Sequence, residues 1–221
     1  MTGGHGALMG TRDRIVDTAI VLFNEQGTGT VSTNHIAQAM GISPGNLYYH
    51  FRNKEAIVRA IYARLRPAWE AASALPDDRP PTVADLRRIL ADHARLVWAY
   101  RFYYRELPAL LRRDPELASE YREVRRAALT TIETLLRQCV ADDVLVVPDA
   151  DSALPELAQV IWVLADFWLP FAELGDPVGP DELDRGIALV MRVLRPYFAA
   201  ATVAELDRLE RVDGHRKGVL S

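Results

Sequence analysis

The sequence predicts an all-α fold, with a small three-helix head at the N-terminus and a larger helical body behind it. Apolar residues recur at helical spacing along nearly all of the 221 residues, and no convincing strand-like alternation is present. Serine, threonine, glycine and proline stand where helices would start and stop. Because 49% of the residues are hydrophobic, the chain has enough apolar side chains to build a core.

The helices of the head are predicted from their caps. Gly27 and Gly41 are placed to end two helices, because glycine readily adopts the left-handed conformation of a C-cap. Ser43 and Pro44 start a third helix, with serine as N-cap and proline at the first helical position. The remaining boundaries are an N-cap at Ser32 or Thr33, an end near His50 or Phe51, and a connector helix over 55–66 that Asn53 caps.

The body begins after a candidate linker. The stretch from Leu75 to Pro81 (LPDDRPP) has the composition of a loop. Thr82 then caps a long amphipathic helix. Further helices are predicted over 109–113, 116–140, 153–173 and 181–200. The predicted domains are a flexible tail (1–10), the head (11–56), the body (57–201) and a C-terminal tail (202–221).

Charge is distributed unevenly between the head and the body. The net formal charge is −4, but residues 1–66 carry +3 and the remaining residues carry −7. This asymmetry suits one module that faces a polyanion and one that faces away from it.

The sequence also predicts a cytoplasmic location. Cys139 is the only cysteine, so an intrachain disulfide is excluded. Residues 1–10 lack the basic and apolar regions of a signal peptide. The most apolar stretch, Val160 to Ala172, is interrupted by Asp166 and Pro170 and is shorter than the roughly 18 residues of a membrane span.

Residues 33–54 have the dimensions of a helix-turn-helix. Gly41 supplies the positive φ that the tight turn at residues 41–43 needs. Ala37 lies where two crossing helices would come close, and its small side chain permits the approach. The apolar contacts between the two helices are expected from Ile36, Met40, Ile42 and Leu47.

The second helix of this motif predicts a surface for nucleic acid. Its hydroxyl, amide and imidazole groups can bond phosphates, and amides can also read base edges. Lys54 is placed to reach a phosphate, and the backbone N–H groups at Ser43 and Gly45 favour an anion. In the alternative interpretation, the two tyrosines are core residues and the histidine is a solvated helix end. The outward residues are Asn46, Tyr48, Tyr49 and His50.

The run from Gly41 to Glu55 (GISPGNLYYHFRNKE) closely resembles the signature of the TetR transcriptional regulators, and the resemblance extends over residues 11–61. It implies a homodimer whose helix 44–50 enters the major groove of a double-stranded, pseudo-palindromic operator. It also implies a repressor that a small hydrophobic or aromatic effector releases. The DNA contacts that it implies come from Ser32, Thr33, Asn34, Ser43, Pro44, Gly45, Asn46, Tyr48, Tyr49, His50 and Lys54.

In this family the body makes the dimer and usually encloses an effector pocket. The last two long helices carry apolar stripes wide enough to bury a second side, although a monomer core is the alternative. The predicted dimer contacts are Leu157, Ile161, Leu164, Trp168, Ile187, Val190, Met191 and Leu194. The predicted effector contacts, which could also be ordinary core residues, are Trp69, Trp98, Phe102, Tyr103, Trp162 and Asp166.

An enzyme is not predicted, because the chain has no HExxH, no GxSxG and no phosphate-binding glycine loop. Asp92 and His93 point about 100° apart on a helix, so they are not a ready acid–base pair. His93 is expected in the core or pocket instead. No metal or cofactor is predicted, and Cys139 is expected to be a small buried hydrophobe rather than a redox sensor. The runner-up is a helical interaction module with a relic helix-turn-helix, which salt-sensitive duplex binding would distinguish.

Overall fold

The computed structural model describes residues 10–76, 78–175, 178–179 and 183–219, so most of the predicted tail 1–10 lies outside the described residues. Within those ranges the chain is helical and a lone antiparallel bridge joins Leu145 to Phe198, which confirms the all-α fold class. The helices are α1 (Thr11–Thr30), α2 (Thr33–Met40), α3 (Pro44–His50), α4 (Lys54–Ala72), α5 (Val83–Ala99), α6 (Arg101–Arg113), α7 (Pro115–Ala141), α8 (Ala150–Ala172), α9 (Leu183–Leu194) and α10 (Ala200–Val219).

The chain divides into two compact units. The first contains the described residues of Met1–Ala68 together with Tyr100–Ala118, and the second contains those of Trp69–Ala99 and Ser119–Ser221. Helix α6 therefore belongs with the head, although the sequence predicts it as part of the body. Its packing against α1 explains this difference, because α6 lies in the sequence after the linker but contributes to the core of the head.

The core of the first unit forms where α1, α4 and α6 pack together. The rings of Phe23 on α1 and Phe102 on α6 lie 5.2 Å apart. Tyr62 on α4 and Tyr103 on α6 stack with their ring centroids 5.5 Å apart. The other buried side chains of this core include Ile15, Ala19, Ile36, Leu47, Ile57 and Ile61.

The second unit has its own core, which α5, α7, α8, α9 and α10 share. The predicted C-terminal tail from residue 202 contributes to it, because α10 continues to Val219 and Leu206 is buried. Cys139 is also buried there, as expected. The other core side chains include Val83, Leu86, Leu136, Leu154, Leu157, Ile161, Val190, Met191 and Leu194.

Helix α8 is longer than the apolar stretch seen in the sequence. From Ala150 to Ala172 it is long and apolar enough to cross a membrane by length and composition alone. It packs against α5 and α9, however, and it holds the buried carboxyl group of Asp166. Both features are those of a core helix in a bundle.

A capping network fixes the start of α5. The buried carboxylate of Asp85 accepts hydrogen bonds from the Thr82 backbone N–H (2.9 Å) and hydroxyl (2.7 Å), as in a capping box. Both terminal guanidinium nitrogens of Arg79 donate to it as well, at 2.7 and 2.8 Å. The hydrogen bond from Arg79 is the main reason that the pKa of Asp85 lies well below its usual range, although burial opposes it.

We predict that Asp85→Asn lowers the free energy of unfolding by about 2 kcal/mol at pH 7, because it removes charge-assisted hydrogen bonds from a buried site. The folded-state pKa is depressed, so the stabilisation is complete above the unfolded-state pKa of about 3.9 and is lost progressively as the pH falls below it. Urea unfolding at several pH values measures both effects. Asp151→Asn, which breaks an exposed ion pair with Arg137, is the control and should cost no more than about 0.5 kcal/mol. Equal losses of stability in the two variants would show that the buried carboxylate of Asp85 stabilises the fold no more than an exposed ion pair does.

Candidate nucleic-acid interface

A buried apolar contact holds α2 and α3 together. Ile36 and Ala37 on α2 and Leu47 on α3 are buried. Between the helices Gly41 has φ +66°, and space is open where a Cβ would stand, so glycine is favoured by the backbone conformation and not by crowding. The N–H of Ile42 donates to the carbonyl of Ala37 at 3.0 Å, which closes the turn. The predicted helix-turn-helix is therefore present in this unit.

The two serines that are predicted to contact DNA, Ser32 and Ser43, are N-caps of α2 and α3. The Ser32 hydroxyl oxygen accepts from the His35 N–H at 3.2 Å, and the Ser43 hydroxyl oxygen accepts from the Asn46 N–H at 3.2 Å. Both serines are exposed. Each hydroxyl still has its own hydrogen to donate, so the capping geometry leaves both groups able to bond a phosphate oxygen.

Helix α3 presents its polar and aromatic side chains to solvent. Tyr49 is 86% exposed and Tyr48 is 50% exposed, so neither is a core aromatic residue. The Tyr48 hydroxyl lies 3.2 Å from the Thr33 hydroxyl, and the Tyr49 ring contacts the half-buried His50 edge-on. The other predicted contact residues that are exposed are Asn34, Pro44, Gly45 and Asn46.

Positive charge remains near the end of α3. The Arg12 guanidinium lies 4.8 Å above the ring of buried Phe51, directly after this helix, and Arg52 is exposed beside it. Two other arginines of the unit are paired with acids, so they add less to the field. These are Arg64, with Asp13 and Asp17, and Arg59, with Asp114 and Glu116.

Lys54 has contacts that the sequence did not reveal. Its ammonium donates to the backbone carbonyl of Val31 at 3.0 Å and to that of Thr28. Two of its three N–H groups are therefore directed at the connection between α1 and α2. These partners are more than 20 residues away in the chain, beyond the reach of any local pattern.

The six predicted effector contacts are divided between the two units. Phe102 and Tyr103 are buried in the first unit, among α1, α4 and α6. The other four belong to the second unit, where Trp69 and Trp98 are half-buried and Trp162 and Asp166 are buried.

A cleft in the second unit lies between α5, α8 and α9. Its wall is apolar except for His93, whose Nε2 lies 3.4 Å from the buried Asp166 Oδ1. Burial raises the pKa of Asp166, and the interaction with His93 partly offsets this. The other residues of the wall are Leu90, Ala94, Val97, Leu164, Ala165, Trp168, Leu183, Gly186, Ile187 and Val190.

Tyr121 on α7 extends this buried polar group. Burial raises the pKa of its hydroxyl to about 12, the negative charge of Asp166 adds to this, and the neighbouring Trp162 side chain opposes it. The sequence singled out Asp166 and Trp162, and it placed His93 in the core or pocket. It missed Tyr121, which the helical period alone marks only as a core position.

Most of the predicted dimer contacts are covered by their own chain. Leu164 and Ile187 are half-buried on the wall of the cleft, and the other six are buried. A Cβ on Gly186 would lie 2.8 Å from the Trp168 ring, so α8 and α9 approach closely at this point. The apolar side chains that α8 and the turn after it leave exposed are Val160, Val163, Phe171 and Leu174.

Two family models match most of the chain. A family model described as bacterial regulatory proteins of the tetR family matches residues 15–61, and the TetR model described as bacterial transcriptional repressor matches 56–206. The crystal structure of a TetR-family transcriptional regulator from Marinobacter aquaeolei VT8 is 32% identical, with a TM-score of 0.84 over 92% of this chain and 98% of that one.

Curated relatives match over about a quarter of the chain. The HTH-type transcriptional regulator UidR of Escherichia coli K12 is 45% identical over 51 residues, which are 23% of this chain and 26% of UidR. The icaADBC negative regulator IcaR of Staphylococcus epidermidis is 42% identical over 48 residues, 22% of this chain and 26% of IcaR. These alignments span about a quarter of each relative's length.

Proposed function

Because this chain belongs to the TetR family of bacterial transcriptional regulators, which are DNA-binding proteins and not enzymes, we propose that it represses transcription as an effector-released homodimer. It would act in the cytoplasm, on a pseudo-palindromic operator in double-stranded DNA. The proposal rests on one observation about the short helix α3. Its side chains Asn46, Tyr48 and Tyr49 are exposed, and Leu47 is buried against the rest of the unit.

The polar groups that the helix-turn-helix exposes divide into base contacts and phosphate contacts in the proposed complex. The Asn46 amide can donate and accept at a base edge in the major groove, so it reads sequence. The Tyr48 and Tyr49 hydroxyls and the serine caps donate to phosphate oxygens, which fixes the register. The remaining proposed contacts are Thr33, Asn34, Pro44, Gly45 and His50.

We predict that Asn46→Ala changes which base pairs the protein prefers. A good bidentate base contact discriminates by about 1–3 kcal/mol, which is at least about fivefold in affinity. Selection from a randomised duplex library, sequenced for wild type and variant, measures this. An unchanged preference with uniformly weaker binding would assign Asn46 to the backbone instead.

Repression itself is tested on the DNA upstream of the protein's own gene. DNase I footprinting should show protection of two half-sites one helical turn apart, since a two-fold dimer places its recognition helices in successive major grooves. Transcription in vitro from a promoter within this fragment should fall as the protein is added. Protection without any effect on transcription would contradict repression and leave DNA binding intact.

The proposed homodimer forms through the exposed side of α8. Val160, Val163, Phe171 and Leu174 give this side an apolar surface that the described part of the chain leaves uncovered. A second copy of the same side would cover it in an isologous contact. The residues predicted from the sequence as dimer contacts are on the same two helices, and most of them are buried within the single chain.

The proposed effector site is the cleft between α5, α8 and α9. Its lining, apolar apart from one imidazole, favours a mainly apolar molecule with one hydrogen-bonding group directed at His93, and the narrow cleft would have to widen to admit it. Asp166, behind His93, would hold the imidazole in place and share a proton with it. Binding there would favour a conformation with lower affinity for DNA, and the coupling must be reciprocal.

We predict that Asp166→Asn weakens the effector response at least about tenfold, because His93 loses the carboxyl group that holds it and shares a proton with it. Release of labelled operator by phenol, aniline, benzoate and their larger aromatic analogues measures the response. Asp142→Asn, a half-buried acid after α7, is the control. Equal potency of the active compounds on Asp166→Asn and wild type would exclude this cleft as their site.

A further inference from the structure

The connection between α1 and α2 is held by charged side chains from two other helices. Gly27, with φ +77°, breaks the end of α1. The next residue, Thr28, is only 1% exposed, and three of its polar groups form hydrogen bonds. Its N–H donates to Glu106 Oε1 of α6 at 2.8 Å, its hydroxyl donates to Glu106 Oε2, and its carbonyl accepts from Lys54 of α4.

Glu106 fits closely against the backbone at this point. A Cβ on Gly27 would stand 3.0 Å from its carboxylate oxygen, which is tighter than most real contacts of this kind. Helix α6 is tied to α1 at a second place, since the Phe102 N–H donates to the Asn24 side-chain oxygen at 3.0 Å. Glu106 therefore projects from a helix that is itself fixed against α1.

The fixed connection leads directly into the helix-turn-helix. Lys54 holds the carbonyl of Val31, the residue before the Ser32 N-cap of α2. Because α2 packs on α3, the direction of α2 also sets the direction of the recognition helix. We infer that Glu106 and Lys54 are positioning residues for DNA binding, which act through the backbone of Thr28 and Val31 and not through contact with DNA.

The consequence for affinity is a population effect. When the connection between α1 and α2 is loose, α2 and α3 sample orientations in which α3 cannot enter the major groove. The apparent affinity for DNA then falls with the fraction of molecules whose α3 is oriented to bind. Charge-assisted hydrogen bonds are stronger than neutral ones, so Glu106 and Lys54 limit this sampling more than neutral side chains would.

Glu106 is negatively charged, so its loss distinguishes positioning from simple electrostatic repulsion of DNA. Removing a negative charge from a DNA-binding unit should strengthen binding to a polyanion. If Glu106 positions α2 and α3, Glu106→Gln instead weakens DNA binding about tenfold, since a hydrogen bond to a charged group contributes roughly that factor. Glu25→Gln, an exposed acid on α1, is the matched control and should bind as tightly as wild type or more tightly.

Lys54 is tested by the salt dependence of binding. A lost phosphate contact flattens the slope of log K against log salt by about 0.9. Lys54→Met should lower the affinity for the upstream fragment and leave this slope unchanged, while Lys54→Arg, which can donate to both carbonyls, should recover most of the affinity. A slope reduced by about 0.9 would overturn the role of Lys54.

The inference rests on the proposed operator binding, so a readout without DNA accompanies it. Hydrogen exchange of the free protein should be faster over residues 28–36 in Glu106→Gln and Thr28→Val than in wild type and Thr28→Ser. Circular dichroism at the assay temperature establishes that each variant is folded, and Thr28→Val replaces Glu106→Gln if the latter is not. Unchanged exchange, or Glu106→Gln binding DNA as tightly as wild type, overturns the inference. Failure of wild type to bind the fragment contradicts the operator alone.

Discussion

Val163→Glu or Phe171→Glu is expected to convert the protein to a monomer and to lower its operator affinity by at least about a hundredfold. Val163 and Phe171 are 54% and 73% exposed on the uncovered side of α8. A dimer would bury the new carboxylate against apolar side chains, where an unpaired charge costs several kcal/mol. A monomer carries one recognition helix and loses the gain in effective concentration that comes from occupying two half-sites.

Sedimentation velocity and anisotropy on the same samples measure the two effects together. Ala127→Glu, which adds the same charge at an exposed position of α7, is the control and should remain dimeric. The protomer fold should survive in both α8 variants, because their side chains lie outside the core. Dimers of unchanged stability in Val163→Glu and Phe171→Glu would place the interface on another surface of the protein.

Replacing Tyr48 and Tyr49 together with alanine is expected to weaken operator binding by about a hundredfold and to leave the melting temperature nearly unchanged. Each hydroxyl donates to a charged phosphate in the proposed complex, and such a bond contributes about 1.5–3 kcal/mol. Both rings are exposed in the free protein, so substitutions there cost little stability, within about 0.5 kcal/mol.

The control for the tyrosine pair is Val21→Ala, which truncates an exposed side chain on α1. It should change neither the melting temperature nor the affinity. Equal binding by the double tyrosine variant and wild type would remove α3 from the interface. A large fall in melting temperature would instead show that the tyrosines support the fold.

The local features of the head could be predicted because their causes are local. Ser43 caps α3 and Gly41 closes the turn through bonds to neighbours within four residues, which a sequence pattern can express. The resemblance of residues 41–55 to a known signature added the function. The same reasoning placed Lys54 near phosphate, but the Thr28 carbonyl that it contacts is 26 residues away, and Glu106 is 78 residues from Thr28.

The body was harder to predict because periodicity does not say what covers a helix. A wide apolar stripe on α8 predicts burial, but it does not distinguish burial in the protomer core from burial in a dimer interface. Ile161, for example, packs inside the protomer. Asp166 was recognisable as an acid in an apolar run, yet its contact with His93 depends on how α5 and α8 pack. Phe102 belongs to the first unit because α6 packs on α1, which composition cannot reveal.

Fluorescence anisotropy measures whether α3 and its flanking residues bind a specific operator. The purified protein is titrated against the DNA upstream of its own gene and against a scrambled fragment, at several salt concentrations. We expect tight binding to the upstream fragment alone, with a slope of log K against log salt of about −0.9 for each neutralised phosphate. Equal affinity for both fragments, or no binding at any salt, would contradict the operator, and failure to select any duplex from a random library would contradict DNA recognition by α3.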